Sequence, residues 1–138
     1  MDLSYFVPPD APLLQPFPFE GKNSLPLFTR FKKVFYRSNE GPIGGYNDSP
    51  AGWLVGPGYY VARDTPGGEG PVVVDYLDVP QSHPAGWPAI KRNEVGLTRF
   101  VYGFTQDFLR RISKDVVIGR AYRNGEKPMP NWFVLCRP

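Results

Sequence analysis

Short runs rich in β-branched and aromatic residues, separated by glycine and proline, dominate the chain from residue 52 onward. Two such runs, residues 116–122 and 132–137, flank a polar segment containing the pair Asn124-Gly125, which readily forms a tight reversal. This pattern predicts a terminal β-hairpin with residues 132–137 as the closing strand. Earlier strands are predicted at residues 53–55, 59–63, 72–79, 90–95, 98–104 and 107–112, and the last of these also fits a helix capped by Thr105.

The first third of the chain contains two other patterns. Residues 24–36 carry apolar side chains at three- and four-residue spacing, with basic side chains opposite them and Ser24 in the position of a helix cap. This spacing predicts one N-terminal amphipathic helix. Residues 1–20 alternate prolines with Phe, Val and Leu, which predicts an extended Pro-rich arm. Such an arm packs either as a strap on the domain or as a lid over a ligand cavity.

The composition favours β structure. The 138 residues include 17 prolines and 15 glycines, a density that divides the chain into short pieces and argues against a helical bundle. Short strands in one domain of this size form either a closed barrel or a two-sheet sandwich. Residues 72–79 favour the barrel because they carry apolar side chains on both faces. We therefore expect a mainly β fold, a single domain over residues 1–138 whose antiparallel barrel strands occupy residues 52–138.

Several function classes find little support in the sequence. Cys136 is the only cysteine, so neither a disulfide framework nor a four-cysteine zinc site can form. His83 is the only histidine and is interpreted as a structural or exposed side chain, with haem ligation or acid/base work as the alternative. We expect no metal ion and no other cofactor. The net charge of +3 comes from short basic clusters without a nucleic-acid-binding motif, so no nucleic-acid partner is expected.

The sequence also bears on location and modification. It has no basic leader and no apolar run of about 18 residues, so we expect no membrane contact and a cytoplasmic location. Asn47-Asp48-Ser49 matches a glycosylation sequon, but Pro50 follows it, and we interpret the segment as turn chemistry. A homo-oligomer is left open.

The order of the strand-like runs resembles that of small lipocalin-like (calycin) β-barrel proteins. The resemblance rests on residues 71–76, 90–95, 116–122 and 132–135, and on the helix predicted before Gly52 and Trp53. It implies an antiparallel barrel that binds a hydrophobic small molecule in its lumen. Some barrels of this kind carry ligands, and others are cofactor-independent isomerases, cyclases or decarboxylases.

Ionisable residues embedded in the predicted strands are the candidates for catalysis. A carboxylate enclosed among apolar side chains can act as a general acid or base, and Asp75 and Glu94 occupy such positions. The candidates for ligand binding are the aromatic and basic residues Trp53, Tyr59, Tyr76, Arg99, Tyr102, Arg120 and Trp132. The alternative for the two carboxylates is pairing with Arg99 and Arg120 or exposure to solvent, and for the aromatic residues it is core packing.

These candidates lead to two main hypotheses. In the first, the protein is a cofactor-independent enzyme of small-molecule biosynthesis, of the isomerase, cyclase or lyase type, that acts on a hydrophobic molecule in the lumen. In the second, it is a hydrophobic-ligand carrier without chemistry. Burial of polar groups is costly and a carrier of apolar ligands needs few of them, so the sequence favours the enzyme. An interaction module built on the Pro-rich arm explains fewer residues.

Overall fold

The computed structural model of the protein describes residues 1–24, 29–49, 56–93, 103–124 and 126–138. Eight antiparallel strands form a closed barrel in which each strand pairs with the next and the last pairs with the first. A single 3-10 turn, Leu3–Tyr5, precedes them. The strands are β1 Phe17–Asn23, β2 Arg30–Arg37, β3 Ile43–Asp48, β4 Tyr60–Asp64, β5 Val72–Asp75, β6 Thr105–Arg111, β7 Val116–Arg123 and β8 Lys127–Cys136.

The predicted terminal hairpin is confirmed as β7 and β8. Asn124 adopts a positive φ of 54° at the reversal, as the sequence indicates. Strand β8 begins earlier than expected, so Pro128 and Pro130 lie within it. Proline is tolerated there because β1 pairs with β8 only from Phe133 onward, which leaves one edge of the proline-containing stretch without a strand partner among the described residues.

The predicted amphipathic helix is wrong, because Arg30–Arg37 is strand β2. Phe31 and Phe35 pack toward the barrel core, whereas Val34 and Tyr36 face outward and are nevertheless buried. Residues 82–87 cover this outer face. The Tyr36 hydroxyl donates to the Ser82 carbonyl (2.6 Å), and the Tyr36 ring contacts Trp87. A strand with apolar residues on both faces places some of them three and four residues apart, as an amphipathic helix does. The spacing in residues 24–36 therefore fits both structures.

The N-terminal segment closes one end of the barrel. Residues 17–20 of the predicted arm belong to β1, and residues 1–11 form what we call the N-terminal plug. Phe6 and Val7 are buried in the core, and the Phe6 ring stacks on Phe35 with centroids 4.5 Å apart. The Leu3 amide donates to Asp64 Oδ1 at the end of β4 (2.8 Å). The plug is therefore part of the core.

The other predicted strands have mixed outcomes. Residues 59–63 correspond to β4. The strand predicted at 72–79 is shorter, because β5 ends at Asp75, and residues 107–111 lie in β6, a strand and not a helix. Residues 90–93 form no strand. The strand predicted at 53–55 and most of the one at 98–104 lie outside the described residues. No helix in the described ranges is long and apolar enough to cross a membrane.

Glycines make room for rings inside the barrel. The Phe31 ring lies against Gly21 of β1, and the Phe133 ring lies against Gly119 of β7, where any Cβ would overlap the ring atoms. The two rings meet edge to face with centroids 5.9 Å apart. Phe31 precedes Phe35 by four residues on β2, so this pair of rings lies farther from the plug than Phe35. Both rings are only partly buried.

Candidate functional site

A buried polar cluster lies in the lumen between the plug and the Phe31–Phe133 layer. Its four members are Lys33, Asn47, Tyr76 and Asp107. Lys33 of β2 stands directly opposite Asn47 of β3. Asp107 lies on β6, and Tyr76 follows β5, where its amide donates to the Thr105 carbonyl. Side chains that point inward from β2, β3, β6 and the end of β5 therefore meet in the lumen, although they are distant in sequence. We call this set the lumen cluster.

The Lys33 ammonium group uses all three of its protons within the lumen cluster. It donates to Tyr76 Oη (2.6 Å), to Asn47 Oδ1 (3.0 Å) and to Asp107 Oδ2 (3.2 Å). Asn47 Nδ2 also donates to Tyr76 Oη (2.7 Å), and the Tyr76 hydroxyl donates to Asp107 Oδ2 (3.2 Å). The phenol oxygen thus links a cation, an amide and a carboxylate in one network, in which each hydrogen bond polarises the others.

Aromatic rings surround the Lys33 ammonium. Its nitrogen lies 4.9 Å from the ring centroid of Tyr60, 5.1 Å from that of Tyr76 and 5.3 Å from that of Phe133. Ring faces attract a cation at these distances. Burial still lowers the pKa of Lys33, because the rings and the nearby Asp107 charge replace only part of the lost hydration.

The members of the lumen cluster differ in accessibility. The Lys33 side chain is 1% exposed, whereas that of Asp107 is 9% exposed. Asp107 is therefore the more accessible member of the ion pair. Phe31 and Phe133, which lie toward the end opposite the plug, are partly exposed. The connections at that end, between β1 and β2, β3 and β4, β5 and β6, and β7 and β8, are the ones that include residues outside the described ranges.

Of the residues proposed from the sequence, Tyr76 lies in the lumen cluster and Asp75 does not. Val72 and Val74 of β5 face the core, so Asp75 points to the outer face. There its Oδ2 pairs with the Arg63 guanidinium (2.8 Å), and its Oδ1 accepts from the Leu77 amide (2.9 Å). The expectation that Asp75 lines the lumen is therefore corrected.

Tyr59 is buried on the outer side of the barrel wall. Its ring stacks on Tyr46 with centroids 5.6 Å apart, and its hydroxyl donates to the Pro88 carbonyl (2.7 Å). His83 lies near the same ring, at 6.2 Å, and its Nδ1 lies 2.7 Å from the Pro84 carbonyl oxygen. These contacts hold residues 80–88 against the barrel, a packing role.

Arg120 and Trp132 pair across β7 and β8 on the outer face. The Arg120 guanidinium stacks over the Trp132 ring at 4.8 Å, and its Nε donates to the Met129 carbonyl. Trp132 is 43% exposed, so the alternative of core packing is wrong for this residue. The remaining candidates, Trp53, Glu94, Arg99 and Tyr102, lie outside the described residues.

Sequence reasoning missed Lys33, Asn47 and Asp107. The pattern of residues 24–36 places Lys33 on the polar face of the predicted helix. The sequon context indicates a turn at Asn47, which is instead buried in β3. In β6 the buried residues Thr105, Asp107 and Leu109 alternate with more exposed ones. This period of two, which places Asp107 on the same face as Leu109, is the pattern that could have indicated an inward carboxylate. A carboxylate at such an inward position requires a partner, and the partner lies 74 residues away.

Comparison with known proteins found no matching family model, no similar curated protein and no similar solved structure. Among the described residues, no group of three or more His, Cys, Asp or Glu side chains is arranged to hold a metal ion.

The lumen tyrosine Tyr60 predicts an alkaline limit to stability. Burial, with smaller effects of Asp107 and Tyr36, raises the pKa of Tyr60 well above its ordinary value of 10.0. Above pH 10 the unfolded chain therefore releases a proton that the folded chain keeps. The free energy of unfolding should fall as pH rises through this range, by up to about 1.4 kcal/mol per pH unit for this group.

Urea unfolding at a series of alkaline pH values measures this slope, with Tyr60→Phe as the comparison. The variant loses the hydrogen bond to the Val34 carbonyl at every pH, but it should show a shallower alkaline decline. Equal slopes in the two proteins would show that Tyr60 ionises as readily in the folded state as in the unfolded state.

Proposed function

We propose that this barrel holds an apolar small molecule in its lumen and catalyses proton transfer on it without a cofactor, as an isomerase, cyclase or lyase does. Asp107 is the proton acceptor, and Tyr76 supplies a hydroxyl that can orient or protonate an oxygen of the substrate. The observation that supports the proposal is the buried ion pair Lys33–Asp107 (3.2 Å), which lies inside a lumen otherwise lined by rings and aliphatic side chains.

Stability alone is a poor reason for such a pair. Removing two charges from water costs several kcal/mol per ion, and apolar residues of similar size often serve a core at least as well. Ionisable groups with perturbed environments inside a cavity occur preferentially at functional sites. Lys33 has such a perturbed environment, because it is fully buried and its pKa is lowered by that burial.

The other members of the lumen cluster have supporting roles. The Lys33 ammonium neutralises Asp107 and holds the carboxylate in one position through Oδ2. Asn47 fixes the Tyr76 hydroxyl from the opposite side and is itself held by the Gly58 carbonyl (3.3 Å). A positioned base in a water-poor site needs little reorganisation when the proton moves. The carrier hypothesis is the alternative, and the aromatic lining of the lumen is equally suited to it.

A nitrobenzisoxazole tests the proposal without knowledge of the natural substrate. A carboxylate base removes its ring C–H proton, the C–H electrons form a nitrile as the N–O bond breaks, and the coloured phenolate product is measured directly. We expect the wild-type protein to accelerate this elimination and Asp107→Asn to lower the rate at least about 100-fold. Displacement of anilinonaphthalene sulfonate should show that both proteins still bind the probe.

Two matched carboxylate variants control the experiment. Asp10→Asn changes an exposed carboxylate of the plug, and Asp75→Asn changes the outward carboxylate paired with Arg63. Both should keep the wild-type rate once the folded fraction is matched. A loss confined to Asp75→Asn would return catalysis to the residue proposed from the sequence. A wild-type protein that binds the probe but does not accelerate its elimination would favour the carrier.

A further inference from the structure

A cavity of about 540 Å³ lies at the plug end of the barrel, away from the lumen cluster. It is a half-open cleft bordered by the plug at Leu3, by the turn between β2 and β3, by β4 and by residues 78–81. Leu3, Ile43, Val61 and Pro80 give it apolar walls. Its volume is within the range of about 300–1,000 Å³ that is typical of small-molecule sites.

Arg37 provides an unused cation on the wall of this cavity. Its Nε is buried and has no hydrogen-bond partner, and the guanidinium makes no ion pair with any carboxylate of the described residues. A buried donor without an acceptor is costly, and such a group in a folded protein usually has a ligand, an ion or a water as its partner.

The acidic residues of the same wall are already engaged. Asp64 accepts from the Leu3 amide, Asp78 pairs with Arg63 (2.6 Å), and Glu40 accepts from the Ser82 hydroxyl (3.0 Å). Arg63 is in turn occupied by Asp75 and Asp78. Of the two basic residues on this wall, Arg37 is therefore the one that makes no ion pair within the described part of the chain.

We propose that this cavity binds a small organic carboxylate, with its carboxylate on Arg37 and its apolar body against Leu3, Ile43 and Val61. A planar guanidinium matches a carboxylate with two parallel hydrogen bonds. A single negative charge fits best, because Glu40, Asp64 and Asp78 surround the site and would repel a phosphate dianion. This site is separate from the lumen cluster and does not depend on the function proposed for it.

Four probes separate the contributions to binding. Benzoate has the apolar body and the charge, benzyl alcohol has the body alone, inorganic phosphate has the charge alone, and benzylammonium has the opposite charge. Binding is followed by NMR through the methyl groups of Leu3, Ile43 and Val61, which locates the probe in the cavity. We expect benzoate to shift these signals at millimolar concentration and to bind more tightly than the other three probes.

Arg37→Met keeps an unbranched stem of similar length and removes the guanidinium group at its end, and it should weaken benzoate binding about tenfold to a hundredfold. Arg37→Lys should recover part of the loss, since it restores the charge without the planar fork. Arg30→Met, at the opposite end of β2, is the matched control and should bind benzoate as the wild type does.

Three results would overturn the proposal. The first is an absence of methyl shifts with benzoate, and the second is equal benzoate binding in the wild type and in Arg37→Met. The third is tighter binding of phosphate or benzylammonium than of benzoate, which would show an inorganic-anion site or a cation site instead. If Arg37→Met does not fold, Arg37→Lys together with the four probes on the wild-type protein decides the question.

Discussion

Replacing Lys33 by methionine is expected to lower the free energy of unfolding by about 3–5 kcal/mol, because the substitution leaves Asp107 buried without its cation. Methionine fills a similar volume, so loss of packing contributes little to this figure. The Tyr76 hydroxyl and Asn47 Oδ1 each lose a donor as well. Urea denaturation followed by circular dichroism measures the change.

A double substitution shows whether the ion pair exists for stability. Lys33→Met combined with Asp107→Leu removes both charges and leaves apolar side chains in the lumen. We expect the double variant to regain most of the loss and to be about as stable as the wild type. That result would mean that the fold does not require the pair, and it would strengthen the functional interpretation of the lumen cluster. Additive losses would instead make the pair a structural element of the barrel.

The residues that form β2 and the lumen cluster show how far sequence patterns reach. Strand-like runs and turn residues identify strands β4 to β8, because each of these has a recognisable run with glycine, proline or polar residues around it. Strand β2 has buried side chains on both faces, since residues 80–88 cover its outside, and its pattern therefore resembles that of a helix. Local spacing does not report which distant segment covers a strand.

The lumen cluster lies beyond sequence reasoning for a related reason. Lys33 and Asp107 are joined only when the barrel closes, and the inward register of β2 and β6 decides that they meet. The sequence does indicate Tyr76, because an aromatic ring with a hydroxyl donor is suited to the wall of a pocket. Asp75, its neighbour in sequence, faces the opposite side of the barrel. Successive side chains of a strand point to opposite faces of the sheet. An error of one residue in the predicted register therefore places an outward side chain in the lumen.

The two ends of the barrel are built differently, and this difference supports a division of roles. At one end the plug fills the lumen with Phe6 and Val7, and the aromatic ring of Tyr5 lies beneath the Arg137 guanidinium (4.1 Å). At the other end the lumen cluster is followed by the partly exposed rings of Phe31 and Phe133. In the function proposed above, the ligand would therefore reach the lumen cluster from the side away from the plug.

The last prediction concerns Phe6 of the plug. Phe6→Ala should lower the free energy of unfolding by about 3–5 kcal/mol, the usual cost of removing a buried phenylalanine. Phe6 is 1% exposed, and its ring contacts Phe35 at 4.5 Å and Phe19 at 5.3 Å. The contacts with these two strand residues cannot be replaced by water without leaving apolar rings of β1 and β2 exposed. Urea denaturation measures the loss.

Leu13→Ala is the matched control for Phe6→Ala. Leu13 belongs to the same N-terminal segment but is 54% exposed, so its removal should change stability by no more than about 0.5 kcal/mol. If the plug closes the lumen, Phe6→Ala should also increase the fluorescence of bound anilinonaphthalene sulfonate, because a second entrance to the apolar interior opens, and Leu13→Ala should not. Equal, small effects of the two substitutions would show that residues 1–11 lie on a barrel whose core is complete without them.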